Sequence, residues 1–206
     1  MIFPSVMAKS QKELNELLKK LKNTSKILHL DVVSTSYAKN HSLDFKFKLK
    51  KEFSYNAHLM IKNPKAWIKK HKKKVSLSIV QVEEINLKTY INWAKKENIK
   101  VAIALKPQTK VSLIKPYLKD IHTILILTVN PGFYGAPFLK SPLKKITQIK
   151  KLNKKIQIIV DGHMTPNTIN LAKSAGANHF VSGSFISKSD NPKKAIKQLK
   201  AAIKNS

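Results

Sequence analysis

Apolar residues recur along the 206-residue chain in two alternating rhythms. Short runs have the length and near-continuous hydrophobicity of buried strands: IFPSV (2–6), KILHLDV (26–32), AHLMI (57–61), VSLSIV (75–80), KVAIAL (100–105), HTILILTV (122–129), IQIIV (156–160) and HFVSG (179–183). Between them lie lysine-rich stretches with apolar residues spaced three and four apart. QKELNELLKKLK (11–22) places Leu14, Leu17, Leu18 and Leu21 on one helical face. NPKAWIKKHKK (63–73), NLKTYINWAKKEN (86–98), residues 110–119, SPLKKITQIKKL (141–152), TPNTINLAKSAG (165–176) and NPKKAIKQLKAAIK (191–204) read as further helices. Their ends carry signals: Pro64 in a first turn, Thr109 and Ser141 in capping positions, and a Thr-Pro start with a Gly stop in 165–176. One segment breaks the rhythm. SLDFKFKLKKEF (42–53) is apolar at 43, 45, 47 and 49, a strand period where the second helix of a repeating unit is due. That unit is expected to be short or irregular.

Eight strands, a helix after nearly every one, and no low-complexity linker predict a parallel sheet in a single domain over 1–206. Eight such units in this length fit a compact α/β fold, the (β/α)8 TIM barrel, with a doubly wound open sheet as the alternative.

Composition narrows the picture. No run approaches the roughly 20 uncharged apolar residues of a membrane span, so no membrane association is expected. MIFPSVMAKS has no basic segment ahead of its apolar part and meets a proline at once, a poor signal peptide, which makes a cytoplasmic location the expectation. The absence of cysteine excludes disulfides and thiol chemistry. Forty basic residues against 11 acidic give +29, a field that suits anionic partners such as nucleic acid. Yet every basic residue is Lys, whereas bidentate phosphate and base readout favours Arg. The lysines are also spread over nearly every predicted helix, so most of this charge reads as a solvated surface and a nucleic-acid partner is not favoured.

The candidate chemistry sits where strands should end. In ILHLDVV (27–33), His29 and Asp31 are two apart and therefore share one face of a strand. His58 lies in the third strand and Asp161 ends the seventh. The chain has five Asp and seven His, so four of these twelve inside apolar runs is not surface scatter. Two imidazoles and two carboxylates form a mixed N/O donor set suited to Zn²⁺, Fe²⁺, Mn²⁺ or Co²⁺. Glycines add a second signal. Gly132, Gly135, Gly162 and Gly183 follow strands six, seven and eight, and phosphate sites in such barrels cluster after the last two.

The order PSV, LHLDV, HLMI-NP, TVNPGF, IIVDG and GS resembles the ribulose-phosphate 3-epimerase family over essentially the whole chain. The resemblance implies a phosphate-binding barrel that epimerises C3 of a ketose phosphate, D-ribulose 5-phosphate to D-xylulose 5-phosphate, with a divalent metal. It makes His29, Asp31, His58 and Asp161 the metal ligands, and Asp31 and Asp161 the acid/base pair. It further implies substrate contacts at Ser5, His58, Met60, Gly132, Phe133, Gly135, Gly162, His163, Gly183 and Ser184. A phosphorylated ketose is then the ligand, and a second copy of the chain is an admissible partner.

The chain departs from the family pattern in places. Val33, Ser34 and Thr35 stand where the family has Met-Asp-Gly, and His163 replaces a glycine of VDGG. Tyr134 and Ala136 alter NPGFGGQ, Gln81 replaces the histidine of VHxE, and Leu127 replaces a methionine before TVNPGF. The proton-transfer residues are kept while the substrate shell has drifted, which leaves open a ketohexose phosphate such as allulose 6-phosphate. A non-catalytic polyanion-binding barrel is another reading. A decarboxylase or synthase of the orotidine-phosphate type is a third, but the Asp-x-Lys-x-x-Asp run expected of it is absent.

Overall fold

The computed structural model describes residues 1–131 and 136–204. Eight parallel strands close into a barrel in chain order, which excludes the open sheet. They are β1 (Ile2–Val6), β2 (Ile27–Val33), β3 (Ser54–Met60), β4 (Val75–Gln81), β5 (Val101–Leu105), β6 (Thr123–Leu127), β7 (Gln157–Asp161) and β8 (His179–Ser182). The outer layer holds α1 (Gln11–Lys20), α2 (Pro64–His71), α3 (Leu87–Lys96), α4 (Leu143–Leu152), α5 (Pro166–Ser174), α6 (Ser184–Ser187) and α7 (Pro192–Lys204). Among the described residues, no helix is long and apolar enough to cross a membrane.

Side-chain alternation sorts each strand into two cores. Leu28, Leu30, Val32, Val80, Ile103, Ile126, Val160 and Phe180 face outward and pack under the helices. Phe3, Ile79, Ala102, Ala104, Leu125, Leu127, Ile159 and Val181 fill the barrel interior. Inward positions in the C-terminal halves of five strands are different: Ser5, Asp31, His58, Gln81 and Asp161 are polar, with His29 one layer below Asp31. The same period-2 pattern that builds the core therefore delivers the polar groups to one end of it.

Local signals explain most helix starts. Ser10 accepts from the Glu13 N–H, Asn63 from Ala66 and Asn86 from Thr89. Thr165 and Thr168 form a reciprocal capping box ahead of α5, with Pro166 at its first position. Gly176 ends that helix at φ +105, a conformation a side chain resists.

One expected helix and two expected caps are corrected. Residues 110–119 form two 3₁₀ turns, Val111–Leu113 and Lys115–Tyr117, and no α-helix. Pro116 has no N–H for an i→i−4 bond and disfavours α conformation at Lys115. Thr109 does not cap that segment; its hydroxyl donates to the Glu83 carboxylate. Ser141 does not cap α4 either. Pro142 already adopts a helical turn, and the Lys144 N–H goes to the Ser141 carbonyl. The irregular unit at 42–53 holds neither helix nor strand; only Ser42 bridges to Val33. Leu43, Leu49 and Phe53 are buried, so this segment covers the barrel as an extended strap where a helix was due.

Candidate active site

Strand register brings the sequence-distant polar groups side by side. Asp31 is the lateral partner of His58, and His29 that of Ser5. Asp161 reaches the same point from β7, which is separated from β2 around the ring by β8 and β1. His29 Nε2 lies 3.4 Å from Asp31 Oδ1 and 3.8 Å from Asp161 Oδ2. His58 Nδ1 lies 3.5 and 3.6 Å from the same two oxygens. Both imidazoles are fully buried.

These four separations are too long for good hydrogen bonds. They match the spacing of ligands around one tetrahedral ion, because donors roughly 2.1 Å from a metal stand roughly 3.4 Å apart. Both His29 ring nitrogens and His58 Nδ1 are buried without a hydrogen-bond partner. A cation at the centre of the four groups would satisfy His29 Nε2 and His58 Nδ1. The His29, Asp31, His58 and Asp161 cluster can thus hold a metal ion, with one ligand atom from each and all within 4.8 Å of one another.

The electrostatics point the same way. Burial works against the charged form of Asp31, but the flanking His29 and His58 outweigh it and hold the carboxyl well below the usual carboxylate range. Burial likewise opposes a charged His58, but Asp161 and Asp31 outweigh it and raise the imidazole to about 9. Two carboxylates packed this closely call for a cation between them, whether a proton on an imidazole or a metal. Asp31 is fixed on its other side, where the Ser5 hydroxyl donates to Oδ2 at 2.6 Å. On the far side of His58, Gln81 Nε2 is 2.8 Å from the ring Nε2.

A cleft opens over the cluster. Ser5, Asp31, His58 and Met60 line it on one side, and Asp161, Gly162, His163, Gly183 and Ser184 on the other. The expected contacts that the structure describes are therefore gathered at one mouth. Gly132, Phe133 and Gly135 lie outside the described residues. Gly162 takes φ +122, and a Cβ there would stand 2.9 Å from both Val129 methyls, so the turn requires glycine. Gly183 is less constrained: a Cβ would meet Ser5 at an ordinary 3.6 Å. His163 adopts φ +53, a left-handed conformation that costs a non-glycine residue energy.

Sequence reasoning missed Met7, Asn40, Val129 and Val181 as lining residues. Met7 is two residues beyond Ser5, so strand alternation could have placed it. Asn40 lies in the irregular connection after β2, ahead of the strap, and carries no such signal. Gln81 was read only as a substitution, although it lies two residues past the inward-facing Ile79.

A closed parallel barrel with imidazoles and carboxylates converging at its C-terminal mouth defines a barrel enzyme with a metal-capable centre. The Ribulose-phosphate 3 epimerase family matches residues 1–187, and the chain belongs to that family, whose members are isomerases. The ribulose-phosphate 3-epimerase of Bacillus subtilis is 29% identical over 213 residues, covering 98% of each chain. Among solved structures, a 3-hexulose-6-phosphate synthase superposes with a TM-score of 0.67 at 18% identity, over 98% of this chain and 99% of that one. The 3-keto-L-gulonate-6-phosphate decarboxylase of Vibrio cholerae does so with 0.70 at 11% identity, over 100% and 97%. At those identities the likeness is one of fold.

Proposed function

We propose that the chain interconverts D-ribulose 5-phosphate and D-xylulose 5-phosphate by moving the proton at C3. The observation that carries this reading is the convergence of Asp31 and Asp161, from different strands, on the same pair of buried imidazoles. Inverting a carbon beside a carbonyl requires a base on one face and an acid on the other. One carboxylate takes the C3 proton and the other delivers a proton to the opposite face; the reverse reaction exchanges their roles. The Ser5 hydrogen bond holds the Asp31 carboxylate in one orientation while it does so. A divalent ion such as Zn, Fe, Mn or Co, held by His29, Asp31, His58 and Asp161, would supply positive charge against the oxyanion that develops as the proton leaves.

The substrate lies across the cleft, its sugar against Ser5, His58 and Met60. We assign its phosphate to the turns after β7 and β8, at Gly162, His163, Gly183 and Ser184. Gly132, Phe133 and Gly135 complete the proposed set. A single domain and a cytoplasmic setting go with this reading.

The test is conversion of D-ribulose 5-phosphate by protein stripped with a chelator and reloaded with each of the four metals. Product should form only after reloading, and allulose 6-phosphate should be converted less efficiently in kcat/KM. A reloaded protein that prefers the hexose would move the assignment to that sugar. One that converts neither would end it.

A further inference from the structure

Gln81 touches the His/Asp cluster yet has no part in the scheme above. It ends β4, is fully buried, and its Nε2 lies 2.8 Å from His58 Nε2. Its Oε1 is buried without a partner. The other ring nitrogen of His58, Nδ1, is the one that faces Asp31 and Asp161.

A neutral imidazole carries one proton, and the contact on one nitrogen decides which. If the Gln81 amide donates to Nε2, the proton sits on Nδ1 and no lone pair faces the carboxylates. If the amide turns by half a revolution about its last bond, Oε1 accepts from Nε2–H and the Nδ1 lone pair points into the cluster. The turn exchanges the amide oxygen and nitrogen in place and moves nothing else. Each orientation leaves one amide atom unpaired, so the amide's own hydrogen bonding does not choose between them. Whatever occupies the cluster does.

We propose that Gln81 is a positioning residue that sets the tautomer of His58: with a divalent ion bound, its carbonyl accepts from His58 Nε2–H and so presents Nδ1 as a ligand. This rests on the reading that the four-residue cluster holds a divalent ion. Histidine ligands are commonly oriented through their second nitrogen by a carboxylate or a carbonyl. An amide does this without burying another negative charge behind a pair of carboxylates.

The experiment measures Zn²⁺ affinity by competition with a chromophoric chelator, for the wild type, Gln81→Leu and Gln81→Glu. Losing the acceptor in Gln81→Leu should loosen Zn²⁺ about 10- to 100-fold. Gln81→Glu is a pure acceptor at neutral pH and should bind at least as tightly as the wild type. In parallel, long-range ¹H–¹⁵N NMR of the Zn²⁺-loaded wild type should show the His58 proton on Nε2. A proton on Nδ1 with zinc bound, or a folded Gln81→Leu that holds zinc as tightly as the wild type, overturns the proposal. If Gln81→Leu does not fold, the NMR signal and Gln81→Glu still decide, and a tenfold weaker Gln81→Glu counts against it. A wild type that binds no Zn²⁺ overturns the cluster reading and this one together. Tight wild-type binding with an indifferent Gln81→Leu overturns this one alone.

Discussion

Asp31 is held on both oxygens, by the Ser5 hydroxyl on Oδ2 and the two imidazoles facing Oδ1. A group so tightly held is suited to exchanging a proton with one face of the substrate. Asp31→Asn and Asp161→Asn should each lower kcat by roughly 10²–10⁴-fold or more, with an unchanged circular dichroism spectrum. Activity within about tenfold of the wild type would remove the two-base scheme. His163 makes a different prediction. Its left-handed backbone favours glycine, so His163→Gly should raise stability by roughly 1 kcal/mol. It should also change inhibition by inorganic phosphate more than proton exchange at C3, and an unchanged inhibition constant would contradict its place in the phosphate site. The four cluster residues were legible because each interrupts an apolar run in a chain poor in Asp and His. Gln81 was not, because nothing in its residue type says that its neighbour on the adjacent strand is an imidazole. Nor does the sequence show that Ser5 and His29 are lateral partners; that depends on register.

At the scale of elements, alternation along the strands was readable and the irregular connections were not. Strand periods located all eight strands and helix periods located α1 to α5 and α7, while β2 and β5 are followed by no α-helix. Where helix propensity met Pro116, the backbone's lack of a donor prevailed and 3₁₀ turns formed. The strap at 42–53 kept its apolar residues but spent them on covering the barrel, an outcome set by tertiary packing. The β7 turn has a stricter requirement. Gly162→Ala should destabilise the protein by about 1–3 kcal/mol in urea unfolding, since φ +122 and the Val129 methyls both oppose a side chain. A loss below about 0.5 kcal/mol would show that the turn can relax. His179, at the start of β8, packs its ring at a tilt against Phe3 with its Nδ1 buried and unpartnered. Burial, followed by the Met1 amino group and Lys150, lowers its pKa to about 4 from 6.5. The unfolded chain therefore takes up a proton in that interval while the folded chain does not, and stability falls as pH drops from 6.5 towards 4. His179→Gln removes this contribution, so the stability difference between wild type and variant should move against the wild type on going from near pH 7 to near pH 5. A difference independent of pH would contradict the placement of a neutral His179.

For the molecule as a whole, the lysine excess has a structural use beyond solubility. Lys145 Nζ donates to the carbonyls of Lys106 and Pro107, Lys150 to those of Lys154 and Ile156, Lys74 to Leu49 and Lys20 to Ser187. These long side chains close off loop carbonyls that the short connections leave exposed. The described ion pairs that are exposed, such as Lys69–Glu97 and Lys106–Glu84, are few beside a net charge of +29. Such a field draws anionic substrates towards the molecule but does not select among them; selection falls to the mouth of the barrel. The central claim is that this mouth moves the C3 proton of a ketose phosphate. Its most direct test is NMR of D-ribulose 5-phosphate in D₂O with metal-loaded protein. The account predicts deuterium at C3 together with the appearance of D-xylulose 5-phosphate. A folded, metal-loaded protein that leaves the C3 proton in place would contradict it.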